Sequence, residues 1–280
     1  VNPRRRVPDG WRPGLVALDI DGTLFGAGHG SSVVDETISP AVKAAVDRVV
    51  EAGVPVVLAT GRSTFGITQV LDMLELPREG ERALTVASNG SVTFAYPPVE
   101  ILTTETFDAS EVVHMLLEHV PDALVAVEEI GVGYRVNRHF PEGEITGQMT
   151  VQSVEELVAE PVTRVVIRDP DASEEDFVEL AEKIGLHGIN YFIGWTAWLD
   201  LAPTDVSKAS GLASVCSRLG VEPGDVLAIG DGRNDIEMLQ WAGRGVAMGQ
   251  ATLSVQEAAD DVTATVHDDG VAVELARWFG

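Results

Sequence analysis

LVALDIDGTLF, residues 15–25, runs an apolar stretch into two aspartates one residue apart, and then into a glycine. LVALDI (15–20) has the texture of a buried strand. Asp and Gly are poor strand formers, and a carboxylate taken out of water without a partner is costly. Two endings are compatible with this: an ordinary Asp-Gly turn closing a strand, or the lip of a metal and phosphate site.

The segments around it set the fold. PAVKAAVDRVVEAG (40–53) carries apolar residues at helical spacing, with Pro40 near its start and Gly53 past its end. VPVVLAT (54–60) is again a short continuous apolar run, followed by a helical FGITQVLDMLEL (65–76) and by ALTVAS (83–88). The last part repeats the alternation, with VSKASGLASVCSRLG (206–220), DVLAIGDG (225–232), NDIEMLQWAG (234–243), RGVAMG, SVQEAAD, VTATV and GVAVELARWF. Continuous apolar strands separated by helices predict an α/β, doubly wound parallel sheet of Rossmann type, covered on both faces.

Between about Thr93 and Leu201 the texture changes. Alternating strands (ILTTETF, ALVAVEE, GYRV, TRVVIRD, AWLDL) accompany two helical stretches, DASEVVHMLLEHV and SEEDFVELAEKI. This predicts an α+β cap domain over 93–201, inserted into a core made of 1–92 and 202–280.

Composition narrows the function. The 280 residues carry 44 acidic against 19 basic side chains, a formal net charge of -25. Such a surface repels nucleic acid and anionic lipid, both of which need clustered Lys and Arg. The only basic cluster, Arg4–Arg5–Arg6, lies in a Pro- and Gly-flanked tail and is expected to be solvated. No apolar run approaches the roughly 18 residues of a membrane span, and no signal-peptide pattern follows the tail. Cys216, the single cysteine, allows no internal disulfide and is expected to be a buried structural thiol. A cytoplasmic protein is the expectation.

The polar residues that matter sit at the carboxyl ends of predicted strands, where open parallel sheets bind ligands. Asp19 and Asp21 follow the first strand, Thr60-Gly61-Arg62 the second, and GDGRND, holding Asp231, Asn234 and Asp235, a later one. Lys208 lies in the first turn of the helix before that strand. Four carboxylates converging on one edge cannot all ionise without a positive charge among them. Mg2+ suits hard oxygen ligands and keeps waters for a substrate phosphate, and no EF-hand-like run speaks for calcium. Singly, Asp21-Gly22 is a turn, Thr60 a strand-end hydroxyl, Lys208 a solvated helix residue and Asn234 a helix N-cap.

In this order DIDGT, TGR, a later lysine and GDGRND resemble the four motifs of the haloacid dehalogenase (HAD) superfamily of phosphotransferases. The large insert between the second and third motifs resembles the cap of its Cof-like branch (subclass IIB), and the match extends over most of the chain. The resemblance implies that Asp19 attacks phosphorus and that Asp21 serves as general acid and base. It implies that Asp19, the Asp21 carbonyl, Asp231 and Asp235 hold Mg2+. Thr60 and Lys208 would grip the phosphoryl oxygens, with Asn234 and Arg62 as further contacts, and Gly22 and Gly61 would bring backbone N–H groups close to phosphate.

The segment GAGHGSSVVDETIS (26–39) is longer than expected for that branch and would border the entrance; its His29 is expected to be a surface residue. In the cap, Tyr134, Arg135, Arg138 and His139 are candidates for reading the substrate. The implied activity is a Mg-dependent phosphatase of a small phosphorylated metabolite, a sugar phosphate or phosphorylated cofactor, through an aspartyl-phosphate. A phosphosugar mutase on the same scaffold and a non-catalytic metabolite-binding protein are the alternatives.

Overall fold

Every residue of β1 (Leu15–Leu18) is buried, as an apolar run at the centre of a two-faced sheet demands. The computed structural model of the chain describes residues 7–26, 36–169, 173, 176, 179–180, 189–193 and 198–280. The Arg4–Arg6 tail and His29 lie outside them, as does most of the expected helix at 173–184. In the core sheet β1 is flanked by β2 (Val56–Leu58) and β12 (Val226–Gly230), followed by β13 (Arg244–Ala247) and the two-residue β14 (Asp261–Val262), all parallel. The period of two sorts the side chains. Val16, Leu18, Leu58 and Ile229 point to the face covered by α1 (Pro40–Glu51), α2 (Thr64–Met73) and α8 (Gly270–Phe279). Leu15, Ala17, Val57 and Ala228 face α5 (Lys208–Leu219), α6 (Ile236–Trp241) and α7 (Leu253–Ala258). Cys216 is buried there.

Caps fix the helix that carries Lys208. The Ser207 hydroxyl accepts the Ser210 N–H, Ser210 reaches back to the Ser207 N–H, and Gly220 closes the far end in the left-handed conformation. Lys208 is thereby the first helical residue, beneath the carboxyl edge of the sheet.

The stretch ALTVAS only partly joins the parallel sheet. β3 (Ala83–Ala87) touches β2 through a single parallel bridge, Ala59 to Val86, and heads an antiparallel meander with β4 (Val92–Tyr96) and β5 (Glu100–Thr104). Val92 and Phe94 pack into the same core as β1. An apolar run does not declare the direction of its partner, so this pairing was not readable from the chain.

The second sheet has the order β10 (Ile189–Ile193), β11 (Trp198–Pro203), β9 (Val165–Arg168), β6 (Leu124–Glu129), β7 (Gly133–Val136), β8 (Gln148–Val151), antiparallel except for β7–β8. One face, with Val125, Val127, Val165, Ile167, Leu199 and Leu201, packs on α3 (Ser110–His119). The opposite face carries Ala126, Val136 and Val166 under Phe140 and Ile145. No helix among the described residues is long and apolar enough to cross a membrane.

Candidate active site

Asp19, Asp231 and Asp235 meet at the carboxyl edge of β1 and β12, with one oxygen of each within 4.8 Å of the others. All three are buried. Lys208, wholly buried, sits between two of them: its Nζ donates to Asp19 Oδ1 and Asp235 Oδ1, both at 2.6 Å. The other oxygen of Asp235 accepts the N–H groups of Asp231 (2.9 Å) and Gly232 (2.8 Å), which locks the GDGRND loop around it.

One ammonium does not neutralise three carboxylates. Burial, and then the repulsion of Asp235, holds the Asp19 carboxyl well above the ordinary aspartate range despite Lys208. Burial together with Asp19 and Asp235 does the same to Asp231. Lys208 is pushed up by the two aspartates against the opposing effect of burial. A close set of hard, buried, undercompensated oxygens fits a small divalent cation, which would reverse both carboxyl shifts. Two glycines make room for the set. A Cβ at Gly22 (φ +82°) would lie 2.1 Å from Asp231 Oδ2, and one at Gly230 would lie 2.4 Å from the Asp235 carboxyl carbon.

Asp21 lies outside this trio, half exposed and gripped by Arg62 through two hydrogen bonds, 2.9 and 2.6 Å. Arg62 also pairs with Glu36 at 2.9 Å and stacks 5.2 Å above the Phe25 ring. Arg62, a substrate contact by the resemblance, in this structure pairs with these two carboxylates. Glu36 comes from the long segment after β1, whose residues 27–35 lie outside the described ones.

Thr60 is fully buried and its hydroxyl accepts the Arg62 N–H at 3.1 Å. The Gly22 N–H is committed to the Phe25 carbonyl at 2.9 Å, so this glycine serves the approach of Asp231. Asn234 lies inside the short 3-10 turn Arg233–Asp235, and Asp235 occupies the N-cap position of α6. The Asn234 side-chain amide instead donates to Asn89 Oδ1 at 2.9 Å. Asn89 was not singled out from the sequence; the Ser-Asn-Gly run at 88–90 was the available signal of a tight turn. Gln250, also unforeseen, donates to the Gly22 carbonyl at 2.5 Å.

The cap candidates separate. Arg135 is spent on the Glu156 and Leu157 carbonyls, Arg138 on those of Asp122 and Ala123, and His139 is exposed. Tyr134 is buried and accepts from Arg164 at 3.0 Å, while Arg164 forks onto Asp200 at 2.8 and 3.0 Å. Beside them Glu128 accepts from the Ser88 hydroxyl of the core, and its Oε1 has no hydrogen-bond partner among the described residues. Burial raises the Glu128 carboxyl, with Arg164 and Ser88 restraining the rise, and burial pushes Tyr134 up to about 12. The register puts Glu128, Tyr134 and Arg164 on the sheet face opposite α3.

The pattern of the haloacid dehalogenase-like hydrolases matches residues 16–275, and the chain belongs to that family. The 5-amino-6-(5-phospho-D-ribitylamino)uracil phosphatase YitU of Bacillus subtilis is 29% identical to it over 290 residues, covering 96% of this chain and 98% of the relative. A HAD phosphatase structure from Bacteroides thetaiotaomicron superposes with a TM-score of 0.76 at 27% identity, covering 98% of each chain. A HAD subclass IIB sugar phosphatase superposes with a TM-score of 0.75 at 22% identity, over 94% of this chain and 98% of the other, and shares the fold. The chain is thus a haloacid dehalogenase-like hydrolase, and the relatives it resembles over nearly their whole length include phosphatases.

Proposed function

We propose that the chain is a Mg-dependent phosphomonoesterase that hydrolyses a small phosphorylated metabolite through an aspartyl-phosphate on Asp19. The observation that carries this reading is the buried trio of aspartates at the strand edge, two of them bound by Lys208, with Asp21 standing apart from it at the entrance. Asp19 offers a carboxylate oxygen to phosphorus, and the bond from phosphorus to the leaving oxygen breaks as Asp21 supplies its proton. Asp21 then takes a proton from the water that attacks phosphorus, releasing phosphate and restoring Asp19. Lys208, Thr60 and Asn234 hold the phosphoryl oxygens. Asp19, the Asp21 carbonyl, Asp231 and Asp235 would hold Mg2+, which when bound would offset the charge that gathers on the phosphoryl group.

Phosphate release from a panel of phosphorylated metabolites tests the reading. Excess chelator is expected to abolish release and added Mg2+ to restore it. Undiminished turnover of metal-free protein would overturn the assignment.

We place the cap between Phe107 and Leu201, narrower than 93–201 because β4 packs into the core and β5 pairs with β4, and assign substrate selection to its face opposite α3. Glu128 offers an acceptor there, next to the Ser88 hydroxyl. Glu128→Gln keeps a partner for Ser88 and removes the charge. It is expected to lower kcat/KM for the preferred metabolite by about ten- to a hundredfold, as for one lost charge-assisted hydrogen bond, and to leave a small aryl phosphate within about threefold. Equal losses on both substrates would make Glu128 a structural member of the cap contact instead.

A further inference from the structure

The turn Ser88–Asn89–Gly90 follows β3 and holds two consecutive non-glycine residues at positive φ, Ser88 at 50° and Asn89 at 53°. Left-handed backbone is unfavourable for L-residues, Asn being the most tolerant after glycine, and two such residues in a row persist only where their surroundings dictate it. Those surroundings are the three loops of the active site and the cap. The Ser88 N–H donates to the Arg62 carbonyl at 2.9 Å and the Asn89 N–H to the Thr60 carbonyl at 3.0 Å. Asn89 Oδ1 accepts from Asn234 Nδ2 at 2.9 Å and lies 3.1 Å from where a Cβ at Gly61 would stand. Gly90 backs onto the Ser207 carbonyl, one residue before Lys208, so closely that a Cβ would lie 2.0 Å from it. The Ser88 hydroxyl reaches Glu128 on the cap sheet.

We propose that Asn89 is a positioning residue for phosphoryl transfer, a strut that holds the Thr60–Arg62 loop in register with the Asp231–Asp235 loop. It does so by orienting Asn234 and closing against Gly61. The inference rests on the phosphatase reading for its kinetic consequence and on geometry alone for the strut. The side chain is 1% exposed and both of its contacts lead to residues assigned to the phosphoryl group. A buried side chain that joins loops at Gly61 and Asn234, 28 and 145 residues away in the chain, fixes their spacing, and small misplacements at a transfer site are costly in rate.

Asn89→Gly is the informative variant, because it keeps the left-handed backbone and deletes only the side chain; Asn89→Ala also opposes the backbone and serves as the folding control. In Asn89→Gly, kcat is expected to fall about ten- to a hundredfold with a small aryl phosphate and with metabolites alike. Inhibition by inorganic phosphate should weaken about tenfold, with melting temperature nearly unchanged. Asn234→Ala should show the same losses, and the double variant should lose little more than either single one. Hydrogen exchange supplies a readout that needs no turnover: amides of 60–63 and 231–236 should exchange faster in Asn89→Gly, while those of β1 and β12 stay as they were. Unchanged exchange at both loops, unchanged kcat, or fully additive losses in the double variant would overturn the proposal. Faster exchange at both loops in a protein whose wild type releases no phosphate from any substrate would uphold the strut and overturn the phosphatase reading instead.

Discussion

Asp19→Asn is expected to keep the fold and to lose turnover by on the order of 10⁴-fold or more, the scale seen when a covalent nucleophile is removed. The amide is nearly isosteric and still presents an oxygen to Lys208, so the packing at the end of β1 is preserved. Removing one of three crowded carboxylates also relieves the repulsion that raises Asp231. Thermal stability without metal should therefore stay equal to wild type or rise. The measurement is single-turnover phosphate release beside a melting curve. Near-wild-type release by Asp19→Asn, with release lost in Asp21→Asn, would reverse the roles given to the two aspartates of DIDGT.

Lys208→Met should have the largest effect on stability. The ammonium is the shared partner of two buried carboxylates, Asp19 and Asp235. Removing one side of a buried ion pair costs about 3–5 kcal/mol, because the charges left behind are uncompensated. At roughly 2–4 °C per kcal/mol for a chain near this size, the metal-free variant should melt about ten degrees lower. The sign of the pH dependence follows from the raised Asp19 carboxyl. Its contribution to stability is full below the ordinary aspartate value of about 4 and is lost as pH rises through the folded value, about 7 with Lys208 in place. Without Lys208 the folded value moves higher and more is lost, so the deficit of the variant should be greater at pH 8 than at pH 5. Added Mg2+ should narrow it. A deficit that is the same at both pH values would mean that Lys208 acts by packing alone.

Much of the site was legible because strand order and ligand position are linked. Once LVALDI, VPVVLAT and DVLAIGDG are parallel strands of one sheet, their carboxyl ends lie on one edge. Asp19, Thr60 and Asp231 then arrive together whatever the loops do. Periodicity and local chemistry along the chain thus determined the α/β class, the inserted α+β segment and the acidic edge. They did not determine which side chain meets which. Lys208 is a helix residue by local pattern, and only the packing of α5 under the strand edge brings it into contact with Asp19, 189 residues away. The same holds for Asn234, which by sequence is a capping residue and in the fold reaches 145 residues back to Asn89. Arg135 and Arg138 looked free to meet a substrate, yet their guanidinium groups satisfy backbone carbonyls of the short helix Val154–Leu157 and of the turn before β6, while the buried Glu128, Tyr134, Arg164 and Asp200 face one another. Polarity along a strand tells which residues share a face. The partner across that face is set by the approach of distant segments, and for a buried charge that partner decides whether it is tolerated at all.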